Sequence, residues 1–136
     1  MTNWDAVRDV IRRDAQIRHL YIDGQGQTCI IGGLAEAAGV NVEEAVFIME
    51  EYEEEDADGN VTGTEEEERD YNSEAIDDVP ALHDPIEEFF GLTLWAQGEL
   101  QDVNDKHEDA DVRRIALLVR VDELEAFEEE GRKSTS

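Results

Sequence analysis

A mainly helical α+β domain is what this sequence predicts: five or six helices, one N-terminal β-hairpin and an acidic flexible insertion. Three observations carry that expectation. Apolar residues recur at helical spacing behind capping residues. Two β-rich runs flank a short glycine loop. One acidic block interrupts an otherwise ordinary composition. The 136 residues fit a single domain, 1–136. Hydrophobic residues make up 40% of the chain, enough for a core, although 37 acidic against 11 basic residues leave a net charge of −26.

The elements are taken in chain order. Thr2-Asn3-Trp4-Asp5 has the form of a capping box, and Trp4, Val7, Val10, Ile11 and Ile17 continue at helical spacing, predicting a helix over 3–18. Arg8, Arg12 and Arg13 take its other face. His19–Ile22 and Thr28–Ile31 surround Asp23-Gly24-Gln25-Gly26-Gln27 and read as the hairpin. A short helix over Leu34–Ala38 stops at Gly39. Asn41-Val42-Glu43-Glu44 opens a helix that Val42, Ala45, Val46 and Met49 carry to about Tyr52. Residues 50–78 hold 15 acidic side chains against Arg69 alone, and such a block repels itself and buries little, so a mobile insertion is expected there. Asp84-Pro85 reads as an N-cap and first helical position, with Gly91 as the stop. Thr93 caps a helix carrying Leu94, Ala96, Leu100 and Val103. Asp111 caps a last helix whose core side is Val112, Ile115, Ala116, Val119 and Phe127, and 131–136 read as a disordered tail.

Charge excludes several functions. Duplex binding rests on Lys and Arg neutralising phosphates, which a −26 chain opposes, and anionic membranes are disfavoured alike. No apolar run reaches the roughly 18–20 residues of a spanning helix. The N-terminus reads as no signal peptide, and the single Cys29 excludes a disulfide framework and a cysteine-based zinc knuckle. A reducing cytoplasm is the expected compartment. Nine of the 11 basic residues are Arg, a bias that suits a salt-loving host or a GC-rich genome.

Tyr21–Gly39, with its Asp23-Gly24 turn, Cys29 and Gly32-Gly33-Leu34, forms one distinctive segment. Phe90–Trp95, followed by Asn104-Asp105 and Arg113-Arg114, forms another. Together, over residues 20–39 and 90–121, they resemble small uncharacterised proteins of actinobacteria and their phages. That resemblance implies a phage-type origin and brings no activity with it. The acidic block departs from the pattern.

Four motifs bear on chemistry. Cys29 ahead of a helix, with His83 or His107 and Asn104, has the composition of a thiol nucleophile set; a buried inert thiol is the other reading. Asn104-Asp105-Lys106-His107 reads as a helix end or as a metal rim through Asp105 and His107, with Glu108 or Asp109 as a third ligand. Asp56, Asp58, Asn60 and Glu67 stand at calcium-loop spacing, but Val61 takes the position that needs Gly, and a glycine turn in an acidic linker is the plainer reading. Gly24-Gln25-Gly26 lacks the third glycine of a dinucleotide fingerprint, so no cofactor is expected, and Arg113-Arg114 are expected to pair with carboxylates. The acidic block gives the leading functional expectation: a non-enzymatic protein that binds a basic partner surface through Glu53, Glu54, Glu55, Asp56, Asp58, Glu65, Glu66, Glu67 and Glu68. If helical, the block would carry a charge about every 3 Å, near the phosphate spacing along a DNA strand, so the partner would be a nucleic-acid-binding protein of the host. A thiol-dependent enzyme using Cys29, and a halophile domain whose charge serves solvation, are the alternatives.

Overall fold

The computed structural model describes residues 2–134, except for the side chains of residues 50, 52 and 132–134. Helices α1 (Trp4–Arg13), α2 (Ile30–Ala37) and α3 (Val42–Val46) come first. Strands β1 (Phe47–Glu55) and β2 (Val61–Asp70) come next, then a single 3-10 turn at Ile76–Asp78. Helices α4 (Pro80–Phe90), α5 (Leu94–Lys106) and α6 (Ala110–Ser134) complete the order. The architecture is mainly helical α+β, as the sequence predicts.

Helix α2 lies at the centre. Ile30, Ile31, Gly32, Gly33, Leu34 and Ala35 are all buried, so this helix has no polar stripe. Helices α1, α4 and α5 pack around it, and α6 closes over α1 and α5. Two glycines make the central placement possible. A Cβ on Gly32 would fall on the Tyr21 carbonyl oxygen, and one on Gly33 would lie 2.7 Å from Asp14 Cβ.

Caps set the helix starts. Asn3 Oδ1 accepts from Ala6 N–H, Asn41 Oδ1 from Glu44 N–H and Thr93 Oγ1 from Ala96 N–H. Gly91, at φ 71°, closes α4 in the left-handed region.

Several boundaries differ from expectation. Helix α1 ends at Arg13, because Ala15 and His19 turn to positive φ and Ile17 lies outside the helix. The predicted hairpin around Asp23–Gln27 shrinks to one bridge, Ile22↔Thr28, since Ile30 and Ile31 belong to α2. Helix α3 stops at Val46, and Met49 lies in β1 with its side chain exposed. Helix α4 begins at Pro80 rather than Pro85. Pro80 takes the first helical position and Pro85 lies inside the helix; the earlier start buries Leu82 with Ile86 and Phe90. The last helix is capped by Asp109, whose Oδ1 accepts from Asp111 N–H and Val112 N–H, and not by Asp111. It runs through Ser134 over most of the expected tail, while Thr135 and Ser136 lie outside the described residues.

The core face of α6 is also reversed. Arg113, Leu117, Val121 and Leu124 point inward, leaving Val112, Ile115, Val119 and Phe127 exposed. This helix carries apolar residues on two opposite sides, so periodicity alone cannot choose between them. Arg113 decides. Its buried guanidinium donates to the carbonyls of Asn104 (3.2 Å), His107 (3.0 Å), Ala15 (2.9 Å) and Glu108 (3.0 Å). Those bonds satisfy the end of α5 and the strained turn at Ala15 together. Arg113 therefore binds backbone and not carboxylates, correcting the expected pairing. Arg114 does both, reaching the Asp14 carbonyl at 3.0 Å and the Asp111 carboxylate at 3.8 Å.

Candidate interaction surface

The acidic block is a β-hairpin as far as Asp70, and its remainder, 71–78, returns to the body, where Asn72 and Ile76 are buried. Glu51 stands opposite Glu66, Met49 opposite Glu68 and Glu53 opposite Thr64, with an irregularity between Glu54 and Glu55. The turn is built by Asp56. Its Oδ1 accepts from Asp58 N–H (2.9 Å) and Asn60 N–H (3.0 Å), and Gly59 takes φ 84°. Those amides hold the Asp56 carboxyl below its ordinary pKa. Every described side chain from Glu51 to the end of β2 is exposed.

The base of the hairpin is held firmly. Tyr71 N–H donates to the Val46 carbonyl at 2.8 Å. Asn72 is buried; its Oδ1 accepts from Tyr21 N–H and Ile22 N–H at 3.0 Å each, and its Nδ2 donates to the Ile22 carbonyl at 2.7 Å. Sequence reasoning missed Asn72, because its role depends on segments brought together from 50 residues apart. The proposed contact residues Glu53–Asp58 and Glu65–Glu68 thus share one exposed ribbon on a fixed root.

The strand geometry dismantles two sequence readings. The calcium loop fails because Val61–Asp70 is extended, at about 3.4 Å per residue, which carries Glu67 well away from Asp56, Asp58 and Asn60. The helical charge spacing fails for the same reason. Glu65–Glu68 advance about 3.4 Å per residue but alternate between faces, so each face carries a carboxylate roughly every 7 Å. Among the described residues, no group of three or more His, Cys, Asp and Glu side chains is arranged to hold a metal ion. At Asp105 the carboxylate instead accepts from His19 N–H (2.9 Å) and Asn104 Nδ2 (3.2 Å).

Cys29, Asn104 and His107 do not form a relay. Cys29 is buried, and its Sγ caps α2 by accepting from Gly32 N–H at 3.4 Å. Burial pushes its pKa up to about 12, so the thiol stays protonated at neutral pH, opposite to what a nucleophile needs. Asn104 Oδ1 accepts from Ile30 N–H and its Nδ2 donates to the Ile17 carbonyl, both at 3.0 Å, which ties α5 to α2 and to the chain after α1. The carbonyl of His107 holds Arg113. Among the described residues, no hydrogen bond joins Cys29 to a histidine.

The arginines of α1 are occupied. Arg8 reaches Asp122 (2.8 Å), Glu125 (3.1 Å) and Asp5 (3.2 Å), Arg12 reaches Asp9 and Arg13 reaches Asp14. Among the described residues, no helix is long and apolar enough to cross a membrane. No protein-family model, curated protein or solved structure matches the chain.

Proposed function

We propose that this chain is an acidic interaction protein whose β1–β2 hairpin docks on a basic surface of a partner protein. The observation that carries the reading is Glu51 lying directly opposite Glu66 on an exposed ribbon. Like charges so placed are destabilising, and a lone two-stranded hairpin is marginal in water. A basic surface relieves that repulsion, so docking gains affinity and hairpin stability together. Association is fast and weakens with salt. The resemblance of residues 20–39 and 90–121 to small uncharacterised proteins of actinobacteria and their phages supports an accessory role in a phage or mobile element.

Affinity capture with wild type and with Glu65→Gln, Glu66→Gln, Glu67→Gln and Glu68→Gln combined tests this. Wild type is expected to retain basic proteins that elute with salt. The variant retains at least tenfold less at an unchanged melting temperature. Equal capture by both would remove the hairpin from the mechanism.

A further inference from the structure

A second site lies away from the hairpin, and it does not depend on the function proposed above. The start of α1, the start of α5 and the C-terminal half of α6 enclose a pocket of about 180 Å³. Trp4, Trp95, Phe127, Leu124, Thr93 and Glu128 are among its lining residues. Three of the eight lining residues are aromatic. Trp95 and Phe127 form adjoining walls, their ring centroids 5.8 Å apart and their planes 42° apart. Both are largely open to solvent, at 55% and 66%, so a guest that covered them would gain free energy from the apolar area removed from water. Trp4 is the buried wall, at 8% exposure, and its indole N–H has no partner among the described residues.

Among the described residues, the charged side chains that line the pocket and the hollow beside it are acidic. Glu128 is held in place by Thr2, which donates from its backbone N–H (3.2 Å) and from Oγ1 (2.6 Å). An adjoining hollow shares Thr2, Trp4 and Glu128 and adds Asp5, Glu125 and Glu129. Arg8 engages Asp5 and Glu125 from the side of α1, and among the described residues no basic side chain lines either hollow.

We propose that this pocket binds an alkylated ammonium ion. Aromatic faces attract cations, Trp most strongly, and methyl groups on nitrogen suit an apolar lining. A small inorganic cation would lose its hydration against these walls without replacement ligands. A neutral apolar guest would gain nothing from Glu128 or from the negative field. An anion is repelled by the whole chain. Two sources share the required chemistry: a free quaternary ammonium compound and a methylated lysine side chain of another protein.

The chain's two tryptophans, Trp4 and Trp95, both line the pocket, so tryptophan fluorescence responds to a guest bound there. Titration with choline is expected to give a saturable change. Its uncharged carbon isostere, 3,3-dimethylbutan-1-ol, is expected to bind at least tenfold more weakly. Phe127→Leu keeps an apolar side chain at an exposed position but removes the π face, and should weaken choline at least fivefold with an unchanged melting temperature. Glu128→Gln, which can still accept from Thr2, should weaken it about threefold. N-acetyl-trimethyllysine methylamide, run beside choline, separates the sources: whichever saturates at lower concentration identifies the natural form, and either upholds the site. Equal response to choline and its isostere, no saturable change with either cation, or an unaltered titration in Phe127→Leu overturns the proposal.

Discussion

Asp23-Gly24-Gln25-Gly26-Gln27 and Asp56-Ala57-Asp58-Gly59-Asn60 are the same turn built twice. In each, the first Asp accepts from the amides two and four residues on, at 2.9–3.0 Å. In each, the Asp N–H bonds the fifth residue's carbonyl at 2.9 Å, and the fourth residue is Gly at φ 79° or 84°. The two turns lead into different structures. After Gln27 comes one bridge, and then Cys29 caps a helix that disappears into the core. After Asn60 comes a ten-residue strand with no buried side chain. The turn therefore specifies a chain reversal and nothing more. Ladder length is decided by whether the outgoing residues find something better to pack on. Ile30 and Ile31 find α1, α4 and α5; Thr62–Glu68 pair with β1, and the ladder is what results.

The sharpest way to break this contrast is through glycine. Gly32→Ala places a Cβ on the Tyr21 carbonyl, and should cost about 3 kcal/mol, lowering the melting temperature by roughly 10 °C. Gly63→Ala, in β2, meets nothing within 4 Å and should leave the melting temperature where it is. Comparable losses in thermal denaturation would mean that the hairpin and body share one cooperative unit.

Alkali acts on the buried turn alone. The Cys29 thiol titrates near its ordinary 9 when unfolded and at about 12 when folded, both times losing a proton. Above pH 9 the unfolded chain holds fewer protons than the folded one, so stability is intact below pH 9 and falls as pH rises toward 12. The slope approaches about 1.4 kcal/mol per pH unit. Burial raises the Tyr21 hydroxyl as well, steepening the upper end. Urea titrations at pH 8, 10 and 11 should trace this course, and Cys29→Ser, which keeps a capping oxygen, should flatten its onset. A flat profile in wild type would contradict the burial of the thiol.

Smaller still is the effect of removing the turn acceptor itself. Asp23→Ala strips two amides of their partner beside the core and should cost about 1 kcal/mol globally. Asp56→Ala strips the same two bonds at the hairpin tip and should loosen only local amide protection. Acid should imitate it: a carboxyl with a depressed pKa holds its turn above the ordinary 3.8 and releases it as pH falls further. A global destabilisation by Asp56→Ala would refute the separation of the two turns.

The same contrasts mark which features are legible in the sequence. Helix α5 is legible because Thr93 caps it and Leu100 falls on its buried side. The Asp23 turn is legible from its glycines. The acidic hairpin is not, because its signals, Tyr52, Val61-Thr62 and the Asp58-Gly59 turn, sit among glutamates that favour helix or disorder when counted by composition. Face assignment on α6 fails because two apolar stripes compete, and the deciding residue, Arg113, is one that composition would place at the surface. The aromatic pocket cannot be read at all, since Trp4, Trp95 and Phe127 converge from three helices.

The least change tests the hairpin from within. Glu66→Lys turns the Glu51↔Glu66 pair from like to opposite charge, while its neighbours across the ladder, Met49↔Glu68 and Glu53↔Thr64, stay as they are. Opposite charges in that position favour pairing, by an amount that should raise amide protection along β1 and β2 roughly two- to threefold. The gain should vanish in about 0.5 M salt, where the Debye length is shorter than about 5 Å. The melting temperature should not move, because the ribbon buries nothing that the body needs. The same variant should nonetheless bind a basic partner less well, since it removes one negative charge and adds one positive. A steadier hairpin that docks more weakly would separate order from charge as the source of affinity. If protection does not rise at low salt, repulsion across Glu51 and Glu66 is not what limits the ribbon, and the gain in stability proposed for docking disappears with it.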